Sequence, residues 1–251
     1  MIDVSHLQVG QRLLPLSFQS VAGEVLHVIG PNGSGKSTLL AAIAGIIASQ
    51  GLVQLDGVDL LSRSLPAQAQ VRAYLSQSDK PAFHLDVFQY LALSLPQGIR
   101  YQDPRVSEVL QELVSLLSLQ NKLYCSIHNL SGGEWQRVRL AGSCLQIWPT
   151  LNPFGRLLLL DEPAAPLDIA QERLLYDLIQ RIAGDGITVI MANHDLNRSL
   201  RYADKVLLLD NGVMHSLGEP RQVLTAERIR QVFHTAVQQV EIAGQPYLVF
   251  D

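Results

Sequence analysis

Cysteine, charged residues and long apolar runs are all scarce in this 251-residue sequence. The two cysteines, Cys125 and Cys144, lack the spacing of a metal-binding pair and are too few for a disulfide framework, so we expect a reduced, cytosolic setting. A formal net charge of −4 argues against a basic surface for nucleic acid or anionic lipid.

Membrane-targeting signals are also missing. No uncharged apolar run approaches the roughly 20 residues that a membrane-spanning helix needs. The opening residues predict no secretory signal, because they lack a basic start followed by an unbroken apolar stretch. We therefore expect no direct membrane insertion, and any work at a membrane would require another chain to hold this one there.

The residues that are present predict one globular α/β domain over 1–251. Apolar residues make up 47% of the chain and charged residues 17%, which suits a chain that buries a core. Strand patterns alternate with helix patterns, and the apolar runs at 156–163 and 186–195 have the length of buried parallel strands. The strands are predicted at 2–9, 23–30, 51–60, 72–77, 156–163, 186–195 and 205–218, and the helices at 36–48, 104–117, 131–148 and 168–184.

Two regions differ from the α/β pattern. Residues from about 86 to 148 are helical in character, and Asp103 and Pro104 supply the N-cap and first position of a helix there. We interpret them as a helical subdomain inserted into the core. Residues from about 236 to 251 predict a short C-terminal β tail with a strand–turn–strand pattern.

The stretch GPNGSGKST follows a predicted strand and opens a predicted helix, as a nucleotide-binding phosphate loop requires. Its glycines allow successive N–H groups to surround phosphate oxygens, Lys36 supplies charge for the β and γ phosphates, and the Ser37 hydroxyl suits Mg²⁺. We call residues 30–38 the phosphate loop. Its candidate binding residues are Gly30, Pro31, Asn32, Gly33, Ser34, Gly35, Lys36, Ser37 and Thr38.

Polar side chains lie at the ends of three other predicted strands. Asp161 and Glu162 end the run LLLLDEP, where Asp161 suits Mg²⁺ and Glu162 suits activation of a water for attack on the γ phosphate. His194 follows the next strand and is a candidate γ-phosphate contact. Gln77 ends an earlier strand and is a candidate contact to Mg²⁺ or to the attacking water.

A second candidate anion site lies in the LSGGE segment, residues 130–134. Ser131 and Glu134 have capping-box spacing at the start of a helix, and Gly132 and Gly133 leave its N–H groups open to an anion. The alternative interpretation is a capping box with incidental glycines. One small protein with two anion sites needs an explanation.

The order of the phosphate loop, Gln77, LSGGE, LLLLDEP, PLD and NHD resembles the nucleotide-binding subunits of ATP-binding-cassette (ABC) transporters along nearly the whole chain. The resemblance implies a phosphate-loop NTPase core with an antiparallel β subdomain and the inserted helical subdomain. It also implies a homodimer in which the LSGGE segment of one copy covers the ATP of the other. Asp168 would then lie at the dimer seam, and ATP and Mg²⁺ would be the cofactors.

The resemblance further implies a peripheral ATPase on the cytoplasmic face of the bacterial inner membrane. Its partners would be two permease subunits and, indirectly, a periplasmic solute-binding protein. Residues 78–86, after Gln77, would lie beside the groove that receives a permease helix.

Within this family, the long link between Gln136 and Asp161 and the stretch ANHDLNRSLRYAD resemble the ATPase subunits of cobalamin importers. Those of iron–siderophore importers are the nearest alternative. The sequence departs from the family at two places. No aromatic residue lies between His6 and Ser17 to stack on adenine, which leaves Arg12 as the candidate. The PLD motif also follows an alanine where the family more often has serine.

Two other function classes remain as alternatives. A soluble cassette protein of translation or DNA repair typically has two cassettes or a coiled-coil insertion, and this sequence predicts neither. A phosphate-loop kinase would use the same Lys36 but transfer the phosphoryl group to an acceptor. The LSGGE segment and His194 argue against a kinase.

Overall fold

The computed structural model describes residues 1–77 and 80–250, which fold into strands and helices arranged around three sheets. The strands are β1 (Ile2–Val9), β2 (Leu13–Ser20), β3 (Val25–Ile29), β4 (Gln50–Leu55), β5 (Val58–Asp59), β6 (Arg72–Leu75), β7 (Leu157–Asp161), β8 (Thr188–Ala192), β9 (Lys205–Asp210), β10 (Val213–Gly218), β11 (Val237–Ile242) and β12 (Gln245–Phe250). The α-helices are α1 (Lys36–Ile43), α2 (Leu65–Val71), α3 (Val87–Leu93), α4 (Pro104–Leu116), α5 (Gly132–Ile147), α6 (Ile169–Gly184), α7 (Leu196–Tyr202), α8 (Pro220–Val223) and α9 (Ala226–Phe233).

The central sheet has the strand order β10-β9-β3-β8-β7-β6. All its pairings are parallel except the β9–β10 hairpin. Every residue of β3, β7 and β8 is buried, because helices and the second sheet cover both faces. This burial explains why these strands read as unbroken apolar runs, and the predicted α/β core is confirmed.

The second sheet is antiparallel, with the order β2-β1-β4-β5. Its apolar face shares one hydrophobic cluster with α1 and with one face of the central sheet. The antiparallel subdomain implied by the family resemblance is therefore present. Strand β2 was not predicted from the sequence, and it contains Pro15. A proline is tolerated there because β2 is an edge strand.

Helices α3, α4 and α5 fill the region between β6 and β7, where the sequence predicted a helical insertion. Asp103 caps α4 by accepting a hydrogen bond from the backbone N–H of Arg105, and Pro104 is its first residue, both as predicted. Helix α5 joins the insertion to the central sheet, since its side chains share one hydrophobic cluster with β6, β7 and β8.

Several predicted element boundaries are wrong; for example, the strands predicted at 156–163 and 186–195 span only Leu157–Asp161 and Thr188–Ala192. The helix predicted over 36–48 ends at Ile43, because Gly45 has a φ of 68° and the N–H groups of Gly45 and Ile46 bond back to Ala42 and Ala41. This double bond pattern is a Schellman motif, which ends a helix. The strand predicted to end at Gln77 ends two residues earlier, at Leu75.

The C-terminal hairpin of β11 and β12, in the region predicted as a β tail, packs against α7. The side chain of Asn197 donates to the carbonyl of Leu248 at 3.0 Å and accepts from its N–H at 2.8 Å. Within residues 1–77 and 80–250, no helix is both long and apolar enough to cross a membrane.

Candidate nucleotide-binding site

The register of the central sheet brings the predicted polar residues to one edge. Val28 of β3 and Asp161 of β7 both pair with Ala192 of β8, so these three strands end level with one another. The residues that follow them are the phosphate loop, Glu162 and the segment carrying His194. Ligands of open α/β sheets bind at this carboxyl edge.

The phosphate loop is held by close backbone contacts that only glycine permits. A Cβ at Gly30 would lie 2.2 Å from the carbonyl oxygen of Leu209. Gly35, the N-cap of α1, has a φ of 105°, and a Cβ there would lie 3.0 Å from the carbonyl oxygen of Arg12. The loop is thus fitted between the β9–β10 hairpin and the turn that carries Arg12.

Lys36 lies inside the phosphate loop and is 4% exposed. Its ammonium group donates to the carbonyl oxygens of Gly30 at 2.8 Å and Pro31 at 3.1 Å. Because an ammonium has three protons, one donor remains for a phosphate oxygen. Burial lowers the pKa of Lys36, and the carboxylates of Glu162 and Asp161 oppose that shift.

Ser37 and Asp161 lie together although 124 positions separate them in the sequence. The Ser37 hydroxyl donates to Asp161 Oδ1 at 3.0 Å. Burial raises the pKa of Asp161, and the hydrogen bond from Ser37 partly offsets this increase. A hydroxyl and a carboxylate are hard oxygen donors of the kind that Mg²⁺ prefers, so both residues fit the predicted metal role.

Glu162 contacts His194, since its Oε1 accepts a hydrogen bond from the imidazole Nε2. Glu162 also has a φ of 50°, in the left-handed region that a side chain other than glycine rarely adopts. Such a conformation costs on the order of 1 kcal/mol or more and is concentrated at functional sites. The position of the Glu162 carboxylate therefore requires a strained backbone conformation.

The segment that carries His194 is held by hydrogen bonds of a buried neighbouring residue, Asn193, which the sequence analysis missed. Asn193 is 5% exposed, and its side chain donates to the hydroxyls of Tyr176 at 3.0 Å and Ser199 at 3.3 Å. Its Oδ1 accepts from the backbone N–H of Asp195 at 3.2 Å. These bonds fix the backbone on both sides of His194.

A cavity of about 660 Å³ opens over the phosphate loop. Gln77, Glu162 and the exposed Arg12, all candidates from the sequence, form part of its wall. Gln11 and Asn211 also line it and were missed. The Asn-Gly turn of the predicted hairpin was the available signal for Asn211. The described lining residues are Gln11, Arg12, Asn32, Gly33, Gly35, Lys36, Ser37, Thr38, Gln77, Glu162 and Asn211.

The LSGGE segment and Asp168 form a separate group, and neither is among the described residues that line this cavity. Ser131 and Glu134 make the predicted capping box at the start of α5. A Cβ at Gly133 would lie 2.5 Å from the side-chain oxygen of Gln171 and 3.0 Å from the carbonyl oxygen of Pro166, whereas one at Gly132 would meet nothing closer than 3.9 Å. Asp168 caps α6 by accepting from the backbone N–H of Gln171 at 2.8 Å.

Comparison with known proteins gives one consistent family. The family model described as "ABC transporter" matches residues 13–165. The "Vitamin B12 import ATP-binding protein BtuD" of Vibrio cholerae serotype O1 (strain M66-2) is 60% identical over 251 residues, with 100% of both chains covered. The protein of the same name from Vibrio campbellii is 58% identical over 255 residues, again with 100% of both chains covered.

A solved structure supports the same fold. The dimeric structure of a post-hydrolysis state of the ATP-binding cassette MJ0796, bound to ADP and Pi, has a TM-score of 0.75 and 22% sequence identity. The alignment covers 88% of this chain and 99% of that one. At this identity the likeness establishes the cassette architecture.

Proposed function

The chain belongs to the ABC transporter family, and we propose that it is the ATP-hydrolysing subunit of a vitamin B12 (cobalamin) importer. The assignment of the solute rests on the 60% identity to a vitamin B12 import ATP-binding protein over the full length of both chains. The nearest alternative, an importer of iron–siderophores, has the same ATPase chemistry but a different permease.

The ATP site is argued from the geometry above. The phosphate loop and Lys36 would bind the β and γ phosphates, since residues of the loop, Lys36 among them, line one cavity. The Glu162 carboxylate, oriented by His194, would accept a proton from the attacking water. Gln77, in the same wall, would help to position that water. Arg12 lies where its guanidinium could stack on the adenine ring.

Magnesium is part of the same proposal. The Ser37 hydroxyl and the Asp161 carboxylate would bind it, with the side-chain oxygen of Gln77 as a further ligand. Mg²⁺ is usually held by one or two carboxylates together with substrate phosphates, and this donor set fits that pattern. When bound, the ion would neutralise charge that develops on the phosphates.

The working unit would be a homodimer with two shared ATP sites. Ser131, Gly132, Gly133 and Glu134 would cover the nucleotide held by the partner copy, with Asp168 at the seam. This arrangement is supported by the separation of the LSGGE segment from its own cavity and by the dimeric cassette named above. A helix N-terminus such as that of α5 stabilises negative charge, which suits a γ phosphate.

The subunit would work on the cytoplasmic face of the inner membrane, held by two permease subunits that a periplasmic solute-binding protein supplies. Residues 78–86 would border the docking groove, although residues 78 and 79 lie outside the described part of the chain. Lys80 connects residues 78–86 to the LSGGE segment by donating a hydrogen bond to the carbonyl of Leu130 at 2.6 Å.

Reconstitution tests the solute directly. The subunit would be co-purified with its permease, placed in vesicles with the solute-binding protein and ATP, and assayed for labelled cobalamin and, separately, for a labelled ferric siderophore. We expect ATP-dependent uptake of cobalamin alone, and none with Lys36→Ala. Uptake of the siderophore instead would reassign the solute. ATPase activity in Lys36→Ala equal to that of the parent protein would overturn the proposed ATP site.

A further inference from the structure

Two buried polar side chains on α5 form a bridge between separate parts of the chain. Gln136 and Arg139 are each 7% exposed. The Arg139 guanidinium donates to the carbonyl oxygen of Ser76 and, at 3.2 Å, to Gln136 Oε1. The Gln136 amide donates in turn to the carbonyl oxygen of Pro163 at 3.0 Å. The hydrogen bonds therefore run without a break from Ser76 to Pro163.

Both ends of this bridge lie next to residues of the ATP site. Ser76 immediately precedes Gln77, and Pro163 immediately follows Glu162. Both Gln77 and Glu162 line the cavity over the phosphate loop. Each hydrogen bond to a neighbouring backbone carbonyl limits how far the backbone that carries Gln77 or Glu162 can move.

Helix α5 offers a comparison that separates this role from simple packing. Arg137 is 8% exposed on the same helix, and its guanidinium donates to the carbonyl oxygens of Leu117 at 2.6 Å and Ser118 at 3.1 Å. Neither acceptor is next to a cavity residue in sequence. Arg137 and Arg139 are therefore similar in burial and in bonding to backbone carbonyls, but of the two only Arg139 bonds to a residue adjacent to a residue of the ATP site.

We propose that Gln136 and Arg139 are positioning residues for ATP hydrolysis, because they hold Gln77 and Glu162 in a fixed relation through α5. The same helix begins at the LSGGE segment. In the shared-site dimer, which is part of the proposed function, the bridge therefore links the helix that covers the partner's nucleotide to the residues that act on the subunit's own.

The test compares Arg139→Lys and Gln136→Met with the matched control Arg137→Lys, each in the subunit assembled with its permease. A lysine keeps the charge but lacks the planar fork that reaches both acceptors. We expect kcat to fall about 10- to 100-fold in the two bridge variants, because small displacements of acting groups have effects of that size. The KM for ATP should stay within about twofold, since the phosphate loop is untouched. Arg137→Lys should keep the kcat of the parent protein.

The kcat of a double variant distinguishes the positioning role from a loss of folded protein. Because both side chains belong to one bridge, Gln136→Met combined with Arg139→Lys should lower kcat no further than the more damaging single change. Unchanged kcat in Arg139→Lys, or an equal loss in Arg137→Lys, would overturn the inference. Lys36→Ala is measured in parallel to distinguish failure of the positioning role from failure of the proposed ATPase function. If the proposed ATP site were wrong, Lys36→Ala would remain active.

Discussion

The imidazole of His194 donates a hydrogen bond to the carboxylate of Glu162, across two neighbouring strands of the central sheet. The contact forms because Asp161 and Ala192 pair in register, so the residues that follow each of them meet at the same edge. One carboxylate oxygen is thus used for orientation. In the proposed mechanism, the other oxygen would act on the attacking water.

Glu162→Gln should reduce ATP hydrolysis about 100-fold or more, because an amide has nearly the same shape but cannot accept a proton. ATP binding should persist, and the variant should accumulate as a nucleotide-bound dimer on size-exclusion chromatography with ATP and Mg²⁺. Glu112→Gln, which changes a partly exposed carboxylate paired with Arg181, is the control and should behave as the parent protein. Normal turnover in Glu162→Gln would mean that another group activates the water.

Ser131→Arg should block ATP-induced closure of the dimer, because a bulky cation would occupy the place of the partner's γ phosphate. Ser131→Ala is the matched control. It removes the hydroxyl that accepts a hydrogen bond from the Glu134 N–H, at a cost of about 1 kcal/mol in stability, but adds no bulk. Closure would be measured as ATP retained by the dimer.

A heterodimer decides whether the site is shared. A Ser131→Arg chain paired with a Lys36→Ala chain, isolated through two affinity tags, damages one site twice and leaves the other intact if LSGGE acts in the partner. We expect one retained ATP per heterodimer. None retained would show that both changes act within their own chains.

The two glycines of the LSGGE segment should differ in their effect on folding. Gly133→Ala adds a methyl group 3.0 Å from the Pro166 carbonyl and should lower the free energy of unfolding by about 1–3 kcal/mol. Gly132→Ala has room and should change it by less than about 0.5 kcal/mol. Denaturant unfolding measures both. Equal destabilisation would contradict the packing role assigned to Gly133.

The capping box should give a pH-dependent contribution to stability. A hydrogen bond from Lys122 and then one from the Ser131 N–H lower the pKa of Glu134 from 4.5 to about 2. Its ionised form therefore stabilises the fold, fully above pH 4.5, and this contribution is lost as the pH falls towards 2. The melting temperature of Glu134→Gln should be lower than that of the parent at pH 7, and the gap should narrow below pH 4.5.

A control variant on α4 separates this effect from general loss of charge. Glu108→Gln changes an exposed carboxylate and should leave the melting temperature at pH 7 unchanged. A gap between Glu134→Gln and the parent that stays constant down to pH 2 would contradict the role of the Glu134 carboxylate.

Some features followed from the sequence because their signals are local. The cap of α4 at Asp103, the capping box at Ser131 and the Asp-Gly turn after β4 each depend on neighbours a few positions away. The burial of the apolar runs at β7 and β8 was predictable for the same reason. The end of α1 was missed although its signal, Gly45, is also local, because the apolar run continues past it.

By itself, the sequence determined which residues can bind phosphate, carry a proton or cap a helix, since residue type and spacing set that chemistry. The tertiary structure alone decided which of them meet. The hydrogen bond between Ser37 and Asp161 spans 124 positions, and the hydrogen bond from Arg139 to Ser76 spans 63 positions. Such contacts depend on the register of parallel strands and on the packing of α5 against the sheet, and no local pattern in the chain encodes either.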